Sequence, residues 1–213
     1  MRIIIYLFLI FFINQTYASE TGVVTGYKIP RFVSLKSNEV NLRVGPSFNY
    51  QIKIKYIQKN LPVEIVDEYD VWRQIQDIDG NFGWIHKSLL KGNRYGVILS
   101  DIDNFALIFN YPHGYQIGKI GNKNIVEIKK CLEKWCFIKI KDKKGWIEKK
   151  NLWGVYKSEI YKISFIQPLI NLYWSLISRN STDNGKRNIA GLEKKHTISH
   201  DYWELYNVMY NVM

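Results

Sequence analysis

Residues 63–90 read VEIVDEYDVWRQIQDIDGNFGWIHKSLL, and residues 126–152 read VEIKKCLEKWCFIKIKDKKGWIEKKNL. A one-residue gap aligns them with ten identities: Val63, Glu64, Ile65, Trp72, Ile75, Gly83, Trp84, Ile85, Lys87 and Leu90, the second-copy tryptophans being Trp135 and Trp146. Upstream, Tyr50-Gln51-Ile52 returns as Tyr115-Gln116-Ile117. Chance rarely keeps two tryptophans and a Gly-Trp-Ile triplet in order. The chain therefore carries one unit of about 60 residues twice, over 33–92 and 96–156.

The unit reads as β-structure. Apolar and β-branched residues alternate over Val40–Val44, Leu61–Asp67, Trp72–Asp77 and Phe82–His86, and Gly45-Pro46, Asp70 and Asp79-Gly80-Asn81 punctuate them. Ile78-Asp79-Gly80-Asn81 between two strands is a hairpin signal. Strands at this spacing predict a small barrel or sandwich. Lys87-Ser88-Leu89-Leu90 predicts one helical turn closing the end of the unit.

Asn41-Leu42-Arg43-Val44-Gly45-Pro46-Ser47, followed by Trp72, Asp79-Gly80 and Gly83-Trp84-Ile85, resembles the bacterial SH3-like domain, as found in secreted tandem SH3-like proteins of proteobacteria. The resemblance covers roughly residues 31–156 and implies an all-β fold of two small tandem barrels. It also implies recognition of a cell-wall peptide, a glycan or an envelope protein, through a groove in the first copy using Asn41, Arg43, Tyr50, Trp72 and Trp84. The second copy departs at its front, where Ala106-Leu107-Ile108-Phe109-Asn110-Tyr111-Pro112 stands in place of the first motif.

Two readings of the repeated tryptophans stay open: rings filling a small barrel, each burying about 150–250 Å², or an aromatic wall along a groove. The glycine before each second tryptophan, Gly83 and Gly145, allows a bulge or a close backbone approach. Arg43 has two readings as well. It holds the following loop through Asp67, Glu68 or Asp70, or it offers its guanidinium fork to a ligand carboxylate.

Cys131 and Cys136 bracket Leu132-Glu133-Lys134-Trp135. In a hairpin they face each other across adjacent strands, at a separation a disulfide bridges. A CxxxxC metal site lacks a second ligand pair, so no metal is expected. The same alignment sets Cys131 and Cys136 against Glu68 and Arg73. Where the second copy has two thiols, the first is expected to hold a cross-strand ion pair.

The compartment is read from the first 18 residues. Arg2 precedes an apolar run from Ile3 to Ile13, and a polar exit ends in Thr16-Tyr17-Ala18, the anatomy of a secretory signal peptide cleaved after Ala18. Eleven residues of helix span roughly 16 Å, about half of a bilayer core. Export to the periplasm or cell envelope follows, and an oxidising compartment suits a disulfide.

Charge is uneven. Residues 119–150 hold eleven lysines against four acidic residues, whereas 33–92 hold eight basic and seven acidic ones. The basic second copy suits an anionic membrane surface; an AT-rich coding sequence accounts for the same lysines. Nucleic acid is not an expected partner of an exported chain. Residues 157–213 form a C-terminal extension. Within it, 159–178 suit a kinked amphipathic helix broken at Pro168, and the polar remainder suits disorder. A structural envelope protein, held by the basic copy and this segment, is the alternative function.

Catalysis finds no motif. His86, His113, His196 and His200 are scattered, His196 and His200 lack the glutamate of a zinc-protease helix, and the cysteines are better explained as a pair. The expectation is a non-catalytic module without a cofactor.

Overall fold

A computed structural model of the chain describes residues 21–100 and 104–177. The expected signal peptide and most of the polar tail, with His196 and His200, lie outside the described residues. The described chain is two separate antiparallel sheets of seven strands each, built on one plan.

The first sheet comprises β1 (Arg31–Leu35), β2 (Val40–Arg43), β3 (Ile52–Tyr56), β4 (Pro62–Tyr69), β5 (Trp72–Gln76), β6 (Phe82–His86) and β7 (Leu90–Lys91), in the order β3-β2-β6-β5-β4-β1-β7. The second comprises β8 (Tyr95–Ile98), β9 (Phe105–Phe109), β10 (Gln116–Gly121), β11 (Ile125–Cys131), β12 (Trp135–Ile140), β13 (Lys143–Glu148) and β14 (Leu152–Trp153), in the order β10-β9-β13-β12-β11-β8-β14. The expected helical turn is a 3-10 turn in both: Lys87–Leu89, and Lys149–Asn151. The two sheets are the tandem SH3-like barrels, β1 starting slightly before the expected boundary at 33.

The tryptophans do not fill the barrels. The first core is Leu35, Val40, Leu42, Val63, Ile65, Ile75 and Ile85 with Ile29; the second is its isoleucine-rich counterpart, and neither contains a tryptophan. The pleat explains this. Trp72 stands opposite His86 and Gln74 opposite Trp84, whereas the core residue Ile75 stands opposite Gly83. Trp72 and Trp84 thus share the outer face of the sheet, and Ile75 and Ile85 the inner one.

Between the sheets, aromatic contacts tie the units. Phe32 meets Trp153 edge-on at 5.1 Å and Tyr156 at 4.8 Å, and the Tyr156 hydroxyl donates to Glu64 at 2.6 Å. Burial, and then Glu64, push the Tyr156 phenol well up from its ordinary value.

At one end of each barrel the aligned positions carry different chemistry. Cys131 and Cys136 are paired across β11 and β12, both buried, joined as a disulfide with Cα atoms 4.1 Å apart. In the first unit Glu68 and Arg73 occupy the matching register, with Arg73 Nε 3.4 Å from the carboxylate. Arg31 is nearer, at 2.6 Å, and Thr25 donates from its hydroxyl at 2.7 Å and its amide at 2.9 Å. The carboxylate thereby fastens residues 24–31 onto the barrel. Burial alone pushes Glu68 up, but the hydrogen bonds from Arg31 and Thr25 outweigh it and hold the carboxyl at about 2.

The folded value lies below the ordinary 4.5. Glu68 therefore adds stability above that ordinary value, and the contribution is lost as pH falls toward the folded one. Glu68→Ala is expected to cost about 3 kcal/mol at pH 7, since it strands buried Arg73. Urea melts across acidic pH should show a flatter dependence in the variant. Closing so short a loop contributes about 2 kcal/mol in the chain-entropy model. Cys131→Ala/Cys136→Ala is expected to lose that amount, and thiol titration of unfolded, unreduced protein to find no free thiols.

Candidate functional site

The outer face of the first barrel carries the sequence-selected residues. Asn41 and Arg43 are the alternate, half-exposed positions of β2, and Arg43 stands directly opposite half-exposed Trp84 on β6. This crossing is close because position 83 is glycine. A Cβ there would lie 2.6 Å from Leu42 and 2.7 Å from the Arg43 carbonyl oxygen. Gly145 has the same role: its Cβ would lie 2.2 Å from Ile108. Of the two sequence options for these glycines, close approach is the one realised.

Arg43 holds the β2–β3 loop, but not through a carboxylate. Its Nη1 donates to the carbonyls of Phe48 at 3.0 Å and Tyr50 at 2.6 Å, and its guanidinium lies 5.7 Å from the Phe48 ring centre. A guanidinium satisfies curled backbone carbonyls with the same fork that meets a carboxylate. The loop so formed projects Phe48 and Tyr50, both exposed, beside Arg43. Tyr50 also lies against Gly45, where a Cβ would sit 2.6 Å from its ring.

Trp72 lies under this loop. Only 5% exposed, it is met edge-on by Phe48 at 4.9 Å and by His86 at 5.5 Å. His86 in turn stacks on Phe48 at 5.6 Å, and its Nδ1 lies 2.7 Å from the Ser88 hydroxyl. Trp72 thus belongs to a small aromatic stack outside the core and supports the loop from below. Trp84 is the tryptophan that reaches solvent in this unit.

The second unit repeats the design with other residues. Trp135 is flanked by Phe109 at 5.2 Å and His113 at 5.2 Å. Trp146, the counterpart of Trp84, is only 3% exposed: its cross-strand neighbour Phe137 lies 5.3 Å away, the Lys130 ammonium lies 5.0 Å over its ring, and the C-terminal segment covers it as well. Residues 167–177 are helical, and Trp174 from this helix meets Trp146 edge-on at 5.2 Å and lies parallel to Tyr111 at 6.3 Å. The helix starts at residue 167, later than the expected 159. Pro168 sits in its first turn, where a missing N–H costs nothing, so it starts the helix and does not kink it. Tyr161 instead forms a β-bridge with Cys131.

The two cysteines are joined as a disulfide, His86 stacks on Phe48, and His113 lies edge-on to Trp135. Among the described residues no group of three or more His, Cys, Asp or Glu side chains is placed to hold a metal ion.

Two small antiparallel barrels, each with its aromatic face beside a short loop, define a tandem SH3-like protein. The family model of the bacterial SH3 domain matches the chain over residues 36–92 and 121–154. The two matched segments fall one in each sheet, consistent with the bacterial SH3 domain being present twice. The second match begins at residue 121, beyond the segment 106–112 that departs from the motif. Two similar solved structures are NlpC2 and NlpC1 from Trichomonas vaginalis, each at 16% identity and a TM-score of 0.28. The alignments cover 64% and 62% of this chain, and 52% and 48% of theirs, so the chain spans about half their length. No curated protein matches the chain in sequence.

Phe48 and His86 were not selected from sequence as partners of Trp72, and Trp174 was not selected at all; their roles arise only when loop and helix fold back. Phe48→Ala is expected to uncover Trp72. The measurement is acrylamide quenching of tryptophan fluorescence, which should rise together with a red-shifted emission. The stability loss should be on the order of 0.5–1.5 kcal/mol, the worth of an aromatic pair. Unchanged quenching would show that the loop does not cover the ring.

Proposed function

We propose that the chain is a non-catalytic binding protein of the cell envelope, exported by its leader. In this reading the first barrel recognises an extended cell-wall peptide or glycan, or an envelope protein, across Asn41, Arg43, Tyr50 and Trp84. Trp72 enters as the support beneath the loop and not as a contact. The observation that carries this reading is the contrast between equivalent positions. Trp146 is covered by Phe137, Lys130 and Trp174, whereas Trp84 is left half-open beside a guanidinium and two exposed aromatic rings. An open aromatic with a neighbouring cation suits planar amides and carboxylates, the groups that peptides and wall sugars present. That the second barrel accepts an indole from a chain segment favours a peptide occupant.

The test is co-sedimentation with purified peptidoglycan sacculi. Wild-type protein is expected in the pellet, with Trp84→Ala and Glu substituted at Arg43 (Arg43→Glu) each lowering the retained fraction at least fivefold. Retention unaffected by both changes would rule the face out. Soluble fragments released from the sacculi over time, above a buffer control, would overturn the non-catalytic part.

One observation favours the alternative, attachment to an anionic membrane surface. The C-terminal helix turns Trp174 to the barrel and leaves Leu169, Leu172, Tyr173 and Leu176 exposed, with Phe165 just before it 94% exposed. No helix among the described residues is long and apolar enough to cross a membrane. A helix apolar on its outer side, attached to a lysine-rich barrel, suits the headgroup region. Leu169→Glu/Leu172→Glu is expected to abolish salt-sensitive co-sedimentation with anionic vesicles; binding independent of anionic lipid would exclude this reading.

A further inference from the structure

The two barrels differ at the end opposite the disulfide. In the first, Leu42 pairs with Ile54 and Val40 with Tyr56. Ile54 and Tyr56 pack on the core, and the Tyr56 hydroxyl donates to buried Asp77 at 2.8 Å. Asp77 also accepts from the amides of Asp79 at 3.0 Å and Asn81 at 2.7 Å. Side chains and a hairpin turn thus close this end.

The matching register in the second barrel follows from the Arg43–Trp84 and Phe109–Trp146 pairs. Ile108 pairs with Gly118 and Ala106 with Ile120. Gly118 therefore stands where Ile54 stands, Ile120 where Tyr56 stands, and Ala106 where Val40 stands. Ile140, five residues after Trp135, takes the place of Asp77, five after Trp72. The closing isoleucine is deleted to a glycine, and the Tyr–Asp hydrogen bond is replaced by two isoleucines.

A cavity opens at this position. It has a volume of about 270 Å³ and is walled by Ile108, Ile117, Ile120, Ile138 and Ile140 with Gly118 and Gly145. Lys119, Lys143 and Lys144, all exposed, complete its lining. Acidic side chains are absent from that lining. Dry apolar cavities of about 150 Å³ take up a benzene ring, so this one has room for several methylenes or a ring. The charged residues of its lining are these lysines, the Lys119 ammonium lying 4.1 Å over the Phe105 ring, and an apolar wall with a few charged groups is the layout of a small-ligand site.

We propose that the second barrel binds a free single-chain anionic amphiphile, an acyl chain with one carboxylate or phosphate head. The chain end lies against the isoleucines over Gly118, and the head lies among Lys119, Lys143 and Lys144. This site is separate from the Trp84 face and does not rest on the reading proposed for it. Burial of apolar surface supplies the affinity, and the lysines discriminate head-group charge.

The test is amide-resolved NMR titration of the full chain with decanoate below its micelle concentration, against decyltrimethylammonium of the same chain length. Decanoate is expected to give saturable shifts at Gly118, Ile120, Ile138 and Gly145, and to bind at least fivefold more tightly than the cationic analogue. Gly118→Ile restores the first barrel's residue and is expected to weaken decanoate at least tenfold. Lys143→Glu/Lys144→Glu, on the exposed rim, is expected to weaken it at least fivefold and carries the test should Gly118→Ile not fold. No saturable shift at these amides, equal affinity for both head groups, or response only to phospholipid vesicles would overturn the proposal.

Discussion

The steric contact at Gly83 and Gly145 is the constraint on which both barrels depend. In each sheet the first hairpin joins the strands that follow it at a single registered pair, Arg43 with Trp84 on β2 and β6 or Phe109 with Trp146 on β9 and β13. The preceding glycine lets the backbones come that near, since a side chain there would overlap Leu42 or Ile108. The same contact sets the outer surface. Because the strands meet at that point, the residue after the glycine is delivered beside the residue that opens the loop. In the first unit that juxtaposition is an indole beside a guanidinium. The curl of the loop then follows from the guanidinium's hydrogen bonds to Phe48 and Tyr50.

A duplicated unit shows which positions the fold demands and which it leaves to local chemistry. Glu68–Arg73 and Cys131–Cys136 occupy one register. Both pin the mouth of a hairpin, and both bind a flanking segment: Glu68 takes residues 24–31, and the Cys131 backbone pairs with Tyr161. A disulfide is indifferent to pH and depends on the redox compartment; the carboxylate cluster is the reverse. The position therefore asks for a cross-strand tie, whatever its chemistry.

The strands, the hairpin at 77–81, the terminal 3-10 turn and the cysteine pairing were legible because each is local. Alternation, turn residues and a five-residue cysteine spacing act over less than a dozen residues. Outer-face burial was not legible. Strand alternation places Trp72 and Trp84 on one face, but it does not say that Phe48 covers one ring and nothing covers the other. Trp174 reaches Trp146 across 28 positions of chain, through a helix whose docking no periodicity encodes. For Arg43 the sequence left a loop clamp and a ligand fork both open; the structure shows it clamping the loop, through backbone carbonyls and not the carboxylates named, because sequence advertises carboxylates and hides backbone carbonyls. The counterparts of Ile54 and Tyr56 were not legible: the Tyr-Gln-Ile match sets them against Lys119 and Gly121, and only the strand register, one residue off that match, pairs them with Gly118 and Ile120.

Why the second barrel tolerates an open end is a question of magnitudes. Full burial of an isoleucine contributes about 1.5–3 kcal/mol, so replacing half-buried Ile54 by Gly118 forgoes part of that stabilisation, and glycine within a strand adds an entropic cost of roughly 0.5–1 kcal/mol. A disulfide closing so short a loop returns about 2 kcal/mol, of comparable size and opposite sign. The two changes sit at opposite ends of β12, the bond at Cys136 and the opening at Ile140. The bond stabilises by restricting the unfolded chain and not by holding the strand at the opening itself. In the first barrel, whose far end is packed shut, a noncovalent cluster is sufficient at the same position. The open apolar end and the covalent tie thus occur in the same repeat, at opposite ends of one strand.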